Sequence, residues 1–172
     1  MRQAIIFKSR WGWMGISETA KGIDALVLPK SSKKAVESDL RTRASDSAGS
    51  RISPRLQAAR KQVIDYLAGK RTGFDLSLDI TSGTDFQRRV WRVLQGVSYG
   101  RLQSYRWVAG RVGGHRYARA VGNAVGANPL PLVIPCHRIV TYDGQLGGFS
   151  GGLLVKRKLL ALEGTLSELK AY

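Results

Sequence analysis

Residues 135–138 read Pro-Cys-His-Arg, and Cys136 is the only cysteine in the chain. A thiol between the stiff Pro135 and the basic pair His137-Arg138 suits nucleophilic chemistry. Nearby positive charge is expected to lower its pKa and favour the thiolate. A lone cysteine closing a buried strand can also be an inert core residue; the electropositive setting favours the reactive reading. His137 is one of two histidines, with His115, and is the candidate base. Adjacent residues on a strand face opposite ways, so His137 needs a turn or a bridging water to serve Cys136. A base also needs an acceptor to orient it. In residues 82–172 the acids are Asp85, Asp143, Glu163 and Glu168, and Glu163 is the candidate. The loop Gly147-Gly148-Phe149-Ser150-Gly151-Gly152 follows and can bring bare backbone N–H groups against a ligand.

The chain has 172 residues with 28 Lys and Arg against 12 Asp and Glu, a formal net charge of +16. One cysteine excludes a disulfide scaffold, and with two histidines it excludes the common structural zinc sites; no metal and no cofactor are expected. No apolar run approaches the roughly 20 residues of a membrane span, and the first residues are too weakly apolar for a signal peptide. A reduced lone thiol fits a cytoplasmic protein.

The charge is concentrated. From Phe86 to Tyr142 there is no acid, and nine arginines (Arg88, Arg89, Arg92, Arg101, Arg106, Arg111, Arg116, Arg119 and Arg138) occur without one lysine. Such a surface attracts a polyanion, and the guanidinium fork suits phosphate. Nucleic acid is the expected partner, rather than a membrane, since no basic helix with a bulky apolar face stands out.

Two domains are expected, 1–81 and 82–172. In the first, apolar runs at 4–7, 11–16 and 23–28 predict strands, the last ended by Pro29. Residues 31–53 read as a flexible loop. Ser53-Pro54 starts a helix to about Ala68, and the alternation Phe74, Leu76, Leu78, Ile80 predicts a half-buried strand. In the second, Thr84 caps a helix, Ser104 caps another over Tyr105–Arg111, and a third runs from about Arg116 to Val125 after Gly113-Gly114. The last two form a helix-turn-helix pattern. Leu130–Ile134 reads as extended and leads into the cysteine, and Leu153–Leu162 is the last helix.

Pro135-Cys136-His137-Arg138, with Gly126-Ala127-Asn128-Pro129 before it and the Gly147–Gly152 loop after it, resembles the O6-alkylguanine-DNA alkyltransferases. Val97-Ser98-Tyr99-Gly100, Ser104-Tyr105, Arg119-Ala120-Val121-Gly122 and Leu162-Glu163-Gly164 fall in the same order, so the resemblance covers about 86–164. It implies an α/β N-terminal ribonuclease-H-like domain and a mainly α, winged-helix-like C-terminal DNA-binding domain. It implies direct-reversal repair: an alkyl group leaves O6 of an everted guanine, or O4 of thymine, for the protein's own cysteine, once per molecule.

Cys136 is then the acceptor, His137 its base through a water, and Glu163 the residue holding the imidazole. Asn128 ties the recognition helix to the cysteine segment, and Tyr105 helps rotate and bond the base. Arg119 fills the gap in the duplex, while Ala118, Ala120, Gly122, Tyr117 and Asn123 approach the minor groove. Phe149 (a tyrosine in many members), Ser150, Ile139 and Pro131 line the pocket, with the Ser150 N–H directed at O6. Residues 1–81 have no Cys or His, so the zinc site of some members is absent. The expected partner is double-stranded DNA with alkylated guanine, bound by a monomer. The alternatives are a non-enzymatic damage sensor or transcription regulator, against which Cys136 argues, and a cysteine hydrolase, which would need turnover and an oxyanion hole.

Overall fold

The computed structural model describes residues 2–41 and 52–170. The chain divides into two compact units, Met1–Ile80 and Thr81–Tyr172.

The first unit is a three-stranded antiparallel sheet in the order β1 (Gln3–Ser9), β2 (Gly12–Glu18), β3 (Ile23–Lys30). Pro29 does not end the last strand, which continues to Lys30. Register pairs Ile5 with Ile16 and Phe7 with Met14, so these four side chains share one face. Helices α1 (Lys33–Arg41) and α2 (Pro54–Leu67) pack on the sheet. Gly15 lies so close to α1 that a Cβ there would meet Val36 and Leu40 at 2.7 and 2.6 Å. Ser53 caps α2 through its hydroxyl, with Pro54 in the first turn.

Two expectations for this unit change. Residues 33–41 are helical, not loop: Ser32 Oγ accepts from Ala35 N at 3.2 Å, and Val36 and Leu40, one turn apart, bury against Val27. Two apolar anchors suffice once a sheet face receives them; residues 42–51 lie outside the described set. Residues 74–80 form no strand of the sheet, only an isolated bridge from Leu78 to Ile23.

The second unit is mainly helical. Helices α3 (Asp85–Gln95), α4 (Tyr105–Val112) and α5 (Ala118–Gly126) pack mutually. Thr84 and Gln87 close a reciprocal capping box on α3, and Ser104 caps α4. Trp91 on α3 is buried and donates its indole N–H to Ala124 O at 2.8 Å, fastening α3 to α5. The expected start of the third helix is a 3-10 turn over His115–Tyr117, with α-helix only from Ala118. Strands β4 (Gln103–Ser104) and β5 (Ile139–Val140) form a short parallel ladder, and α6 (Leu153–Leu162) packs on the turn containing Cys136.

Leu130–Ile134 is a turn, not extended. Leu132 has φ +74° and Ile134 N returns to Leu130 O at 2.8 Å. Prolines 129, 131 and 135 forbid regular pairing here. No helix among the described residues is long and apolar enough to cross a membrane.

Candidate active site

The cysteine sits on a tight double turn. Pro135 adopts φ −79°, ψ 61° and Cys136 N bonds Ile134 O at 2.7 Å, an inverse γ-turn. Cys136–Arg138 then forms one 3-10 turn. The chain is therefore not extended at this point, and both Cys136 and His137 are buried, at 2% and 0% exposure.

Glu163 gathers His137 and its neighbours. Its Oε1 lies 2.6 Å from His137 Nε2, and Arg138 donates Nε to Oε2 at 2.8 Å and Nη2 to Oε1 at 3.1 Å. Gly100 N adds a bond to Oε2 at 3.1 Å. Arg138 Nη1 also donates to Val97 O at 2.6 Å, which ties the end of α3 into the site. A carboxylate accepts only, so Nε2 carries the proton and the lone pair lies on Nδ1. This is a neutral imidazole ready to accept a proton.

Electrostatics corrects one expectation. Burial, not the basic neighbours, governs the thiol: desolvation pushes Cys136 up to about 11, against weaker lowering by an Asn128 hydrogen bond and the Lys156 charge. The same burial holds the His137 pKa below its usual value, with Glu163 opposing. Thiol and imidazole are both neutral at pH 7. As the expected base, His137 must be unprotonated to act, so the acid limb lies below the ordinary histidine value. The rate of Cys136 alkylation is therefore expected to lose less than half of its value as pH falls from about 7.5 to about 6.5. A rapid-quench series over that range checks this; a rate already halved above about pH 6.5 would mean His137 is not held neutral.

Cys136 opens on a small cavity of about 130 Å³, lined by Tyr105, Gly122, Val125, Gly126, Gly148, Phe149 and Ser150. The lining thus comes from the start of α4, the inner edge of α5 and the glycine loop. Gly147 has φ +66°, and a Cβ there would lie 3.0 Å from the Tyr105 ring, so a side chain would strain the backbone and crowd the tyrosine. Burial raises the Tyr105 pKa, with Cys136 adding to it, so the phenol remains a donor; its hydroxyl reaches Gly148 O at 3.4 Å.

Asn128 closes the turn before the cysteine: Nδ2 donates to Ile134 O at 2.8 Å and Oδ1 accepts from Leu130 N at 2.9 Å. Ala118, Arg119, Ala120 and Asn123 are exposed on α5, with Tyr117 half-buried at its start. Pro131 and Ile139 are not among the cavity-lining residues. Ile139 is fully buried in the ladder with Gln103, and Pro131 is buried within the 130–134 turn.

Sequence reasoning missed Lys156. It is fully buried on α6, and its Nζ donates to Ile139 O at 2.6 Å, to Leu146 O, and to Gly148 O at 3.3 Å. One amine thus pins the glycine loop to β5. Burial pulls its pKa down to about 8, with Cys136 opposing, so at pH 7 it is a cation near the sulfur. A signal was available: Lys156, Leu159, Leu160 and Glu163 recur at one helical face, so both charges point with the leucines.

Residues 85–165 match the family model described as 6-O-methylguanine DNA methyltransferase, DNA binding domain. The chain is 50% identical over 105 residues to the methylated-DNA–protein-cysteine methyltransferase of Mycolicibacterium paratuberculosis, a match covering 61% of this chain and only 63% of that relative. It is also similar to the crystal structure of Mycobacterium tuberculosis O6-methylguanine methyltransferase, with TM-score 0.76 and 34% identity over 100% of this chain and 97% of that one. Against the crystal structure of Mycobacterium tuberculosis OGT in complex with DNA the TM-score is 0.77, at 33% identity over 95% and 93% of the two chains.

Proposed function

Because the chain belongs to the 6-O-methylguanine DNA methyltransferase family, we propose that it repairs alkylated DNA by direct reversal, moving an alkyl group from guanine O6 to the sulfur of Cys136. The observation that carries this reading is a buried thiol opening on a cavity of about 130 Å³, beside a histidine already oriented by a carboxylate.

The reaction runs as follows. The guanine leaves the duplex and enters the cavity between Tyr105 and the glycine loop. His137, through a water, takes the thiol proton as the S–C bond forms and the C–O6 bond breaks. Glu163 stabilises the imidazolium, so this pair forms charge only when the thiolate is consumed. The electron pair of the broken bond goes to the guanine, whose N1 takes up one proton, balanced by the thiol proton that His137 returns to solvent, and the Ser150 N–H and Tyr105 hydroxyl offer donors to the developing charge. The product is a thioether that neither water nor a second thiol displaces, so each molecule acts once. Thymine O4 is a second substrate of the same geometry.

The partner is double-stranded DNA, approached from the minor groove by α5. Ala118, Ala120 and Gly122 allow close approach, Tyr117 and Asn123 border them, and Arg119 fills the vacated stack. The first unit takes the ribonuclease-H-like class and the second the winged-helix-like class. The protein acts as a cytoplasmic monomer, where its thiol stays reduced. The cavity around an acceptor sulfur supports transfer over a purely sensing or regulatory role.

Incubation with a duplex bearing O6-methylguanine, followed by peptide mass spectrometry, is expected to show one methyl group on Cys136 and no further turnover. An unmodified Cys136, or continued release of product, overturns the reading.

A further inference from the structure

The two units hold their surface cations differently. In the first unit acids hold several of them, as in Arg2–Asp24 at 2.7 Å, Lys30–Asp39 at 3.1 Å and Lys61–Asp65 at 2.6 Å, and a single arginine, Arg71, lies over a ring, 5.9 Å from the Phe74 centroid. In the second, among the described residues, Arg88 meets Asp85 and the buried Arg138 meets Glu163, but no other arginine has a carboxylate within 4.0 Å. Aromatic rings replace the acids. Arg89 lies 5.7 Å from the Phe86 centroid, Arg106 4.9 Å from Tyr142, Arg111 3.7 Å from Trp107 and Arg116 5.0 Å from Tyr117.

The physical difference is in what remains. A carboxylate orders a guanidinium and cancels its charge. A ring face orders it and leaves both the charge and the in-plane N–H donors available. Holding side chains this way reduces the entropy lost when they meet a phosphate.

Two of these stacks lie along α4. Val108 and Ala109 are its buried face, while Arg106, Gly110 and Arg111 are exposed. The two arginines are five residues apart, about 7.5 Å along the axis and roughly 140° around it, so they flank the exposed face from its two sides. Tyr142, which carries Arg106, is 75% exposed in the turn after β5. The adjacent Asp143 is drawn to Thr141 and Lys170 instead.

We propose that the outer face of α4 is a DNA-backbone contact surface additional to α5, with Trp107 and Tyr142 serving as seats that hold Arg111 and Arg106 ready for backbone phosphates. This rests on the DNA-repair reading above and adds to it a second contact element. The rings contribute by fixing the cations, not by touching bases.

The test is binding of lesion-free duplex DNA over a salt series by the wild-type chain and by Arg111→Gln, Arg111→Lys and Trp107→Leu. Arg111→Gln is expected to reduce the slope of log affinity against log salt by about 1. Trp107→Leu and Arg111→Lys keep the charge, so the slope should hold while affinity falls about two- to fivefold. Since Trp107 is half-buried, its variant is compared at matched folded fraction, and the Arg111 variants stand independently of it. Wild-type slope and affinity in all three overturn the proposal. Methyl transfer by the wild-type chain is scored separately: its absence overturns the repair reading, whereas transfer with unchanged variant binding overturns only the α4 surface.

Discussion

Glu163→Gln is expected to cost about 3–5 kcal/mol of stability and to slow Cys136 alkylation by about a hundredfold or more. Both effects have the same origin. The carboxylate is fully buried and is the anion facing the Arg138 fork, whose own side chain is only 7% exposed. Solvent cannot screen the charge left behind, so the loss exceeds that of a surface pair. Against a total of about 5–15 kcal/mol for a typical domain, the variant is near its unfolding threshold. The rate effect is separate. The Gln amide can still accept from His137 Nε2, so the ring keeps its place, but no charge remains to stabilise the imidazolium. Urea denaturation and single-turnover kinetics at a folded fraction near one report the two losses independently. Wild-type stability would mean that Arg138 finds another counter-ion. A wild-type rate in a folded variant would remove Glu163 from the chemistry.

Lys156→Met is the second large effect. Methionine fills similar volume but leaves the carbonyls of Ile139, Leu146 and Gly148 without their shared donor. The buried Ile139 and Leu146 carbonyls lose this donor at about 1–3 kcal/mol each, whereas the exposed Gly148 carbonyl keeps the Tyr105 hydroxyl; removing a buried charge returns part of the loss, for an expected net of about 2–4 kcal/mol. The larger consequence is local. Gly148 lines the cavity, and without the amine the glycine loop loses its tether to β5. The alkylation rate is expected to fall at least about tenfold, with hydrogen exchange rising at residues 146–150 ahead of global unfolding. Wild-type exchange in the loop would show that the backbone holds itself.

Much of this arrangement is legible in the residues. Thr84 and Gln87 announce the capping box, Ser53-Pro54 the start of α2, and the scarcity of acids leaves few partners for His137 besides Glu163. Other features depend on tertiary contact. The helix at 33–41 shows only Val36 and Leu40 as anchors, and a polar segment of that kind reads as loop until a sheet face is there to receive it. The 130–134 stretch is apolar enough for a strand, but its prolines bend it into the turn that presents the cysteine. The thiol is the sharpest case: basic neighbours in sequence suggested a ready thiolate, whereas desolvation, which sequence does not display, sets the opposite direction.

Under the proposed single-use transfer, that protonated sulfur has a consequence for the unspent molecule. Oxidants and stray electrophiles in the cell attack thiolates far faster than thiols, so a cysteine held near 11 stays largely unreactive toward them. The unused protein is thereby expected to outlast one with an exposed thiolate, keeping its single dose of nucleophile for a base that enters the cavity.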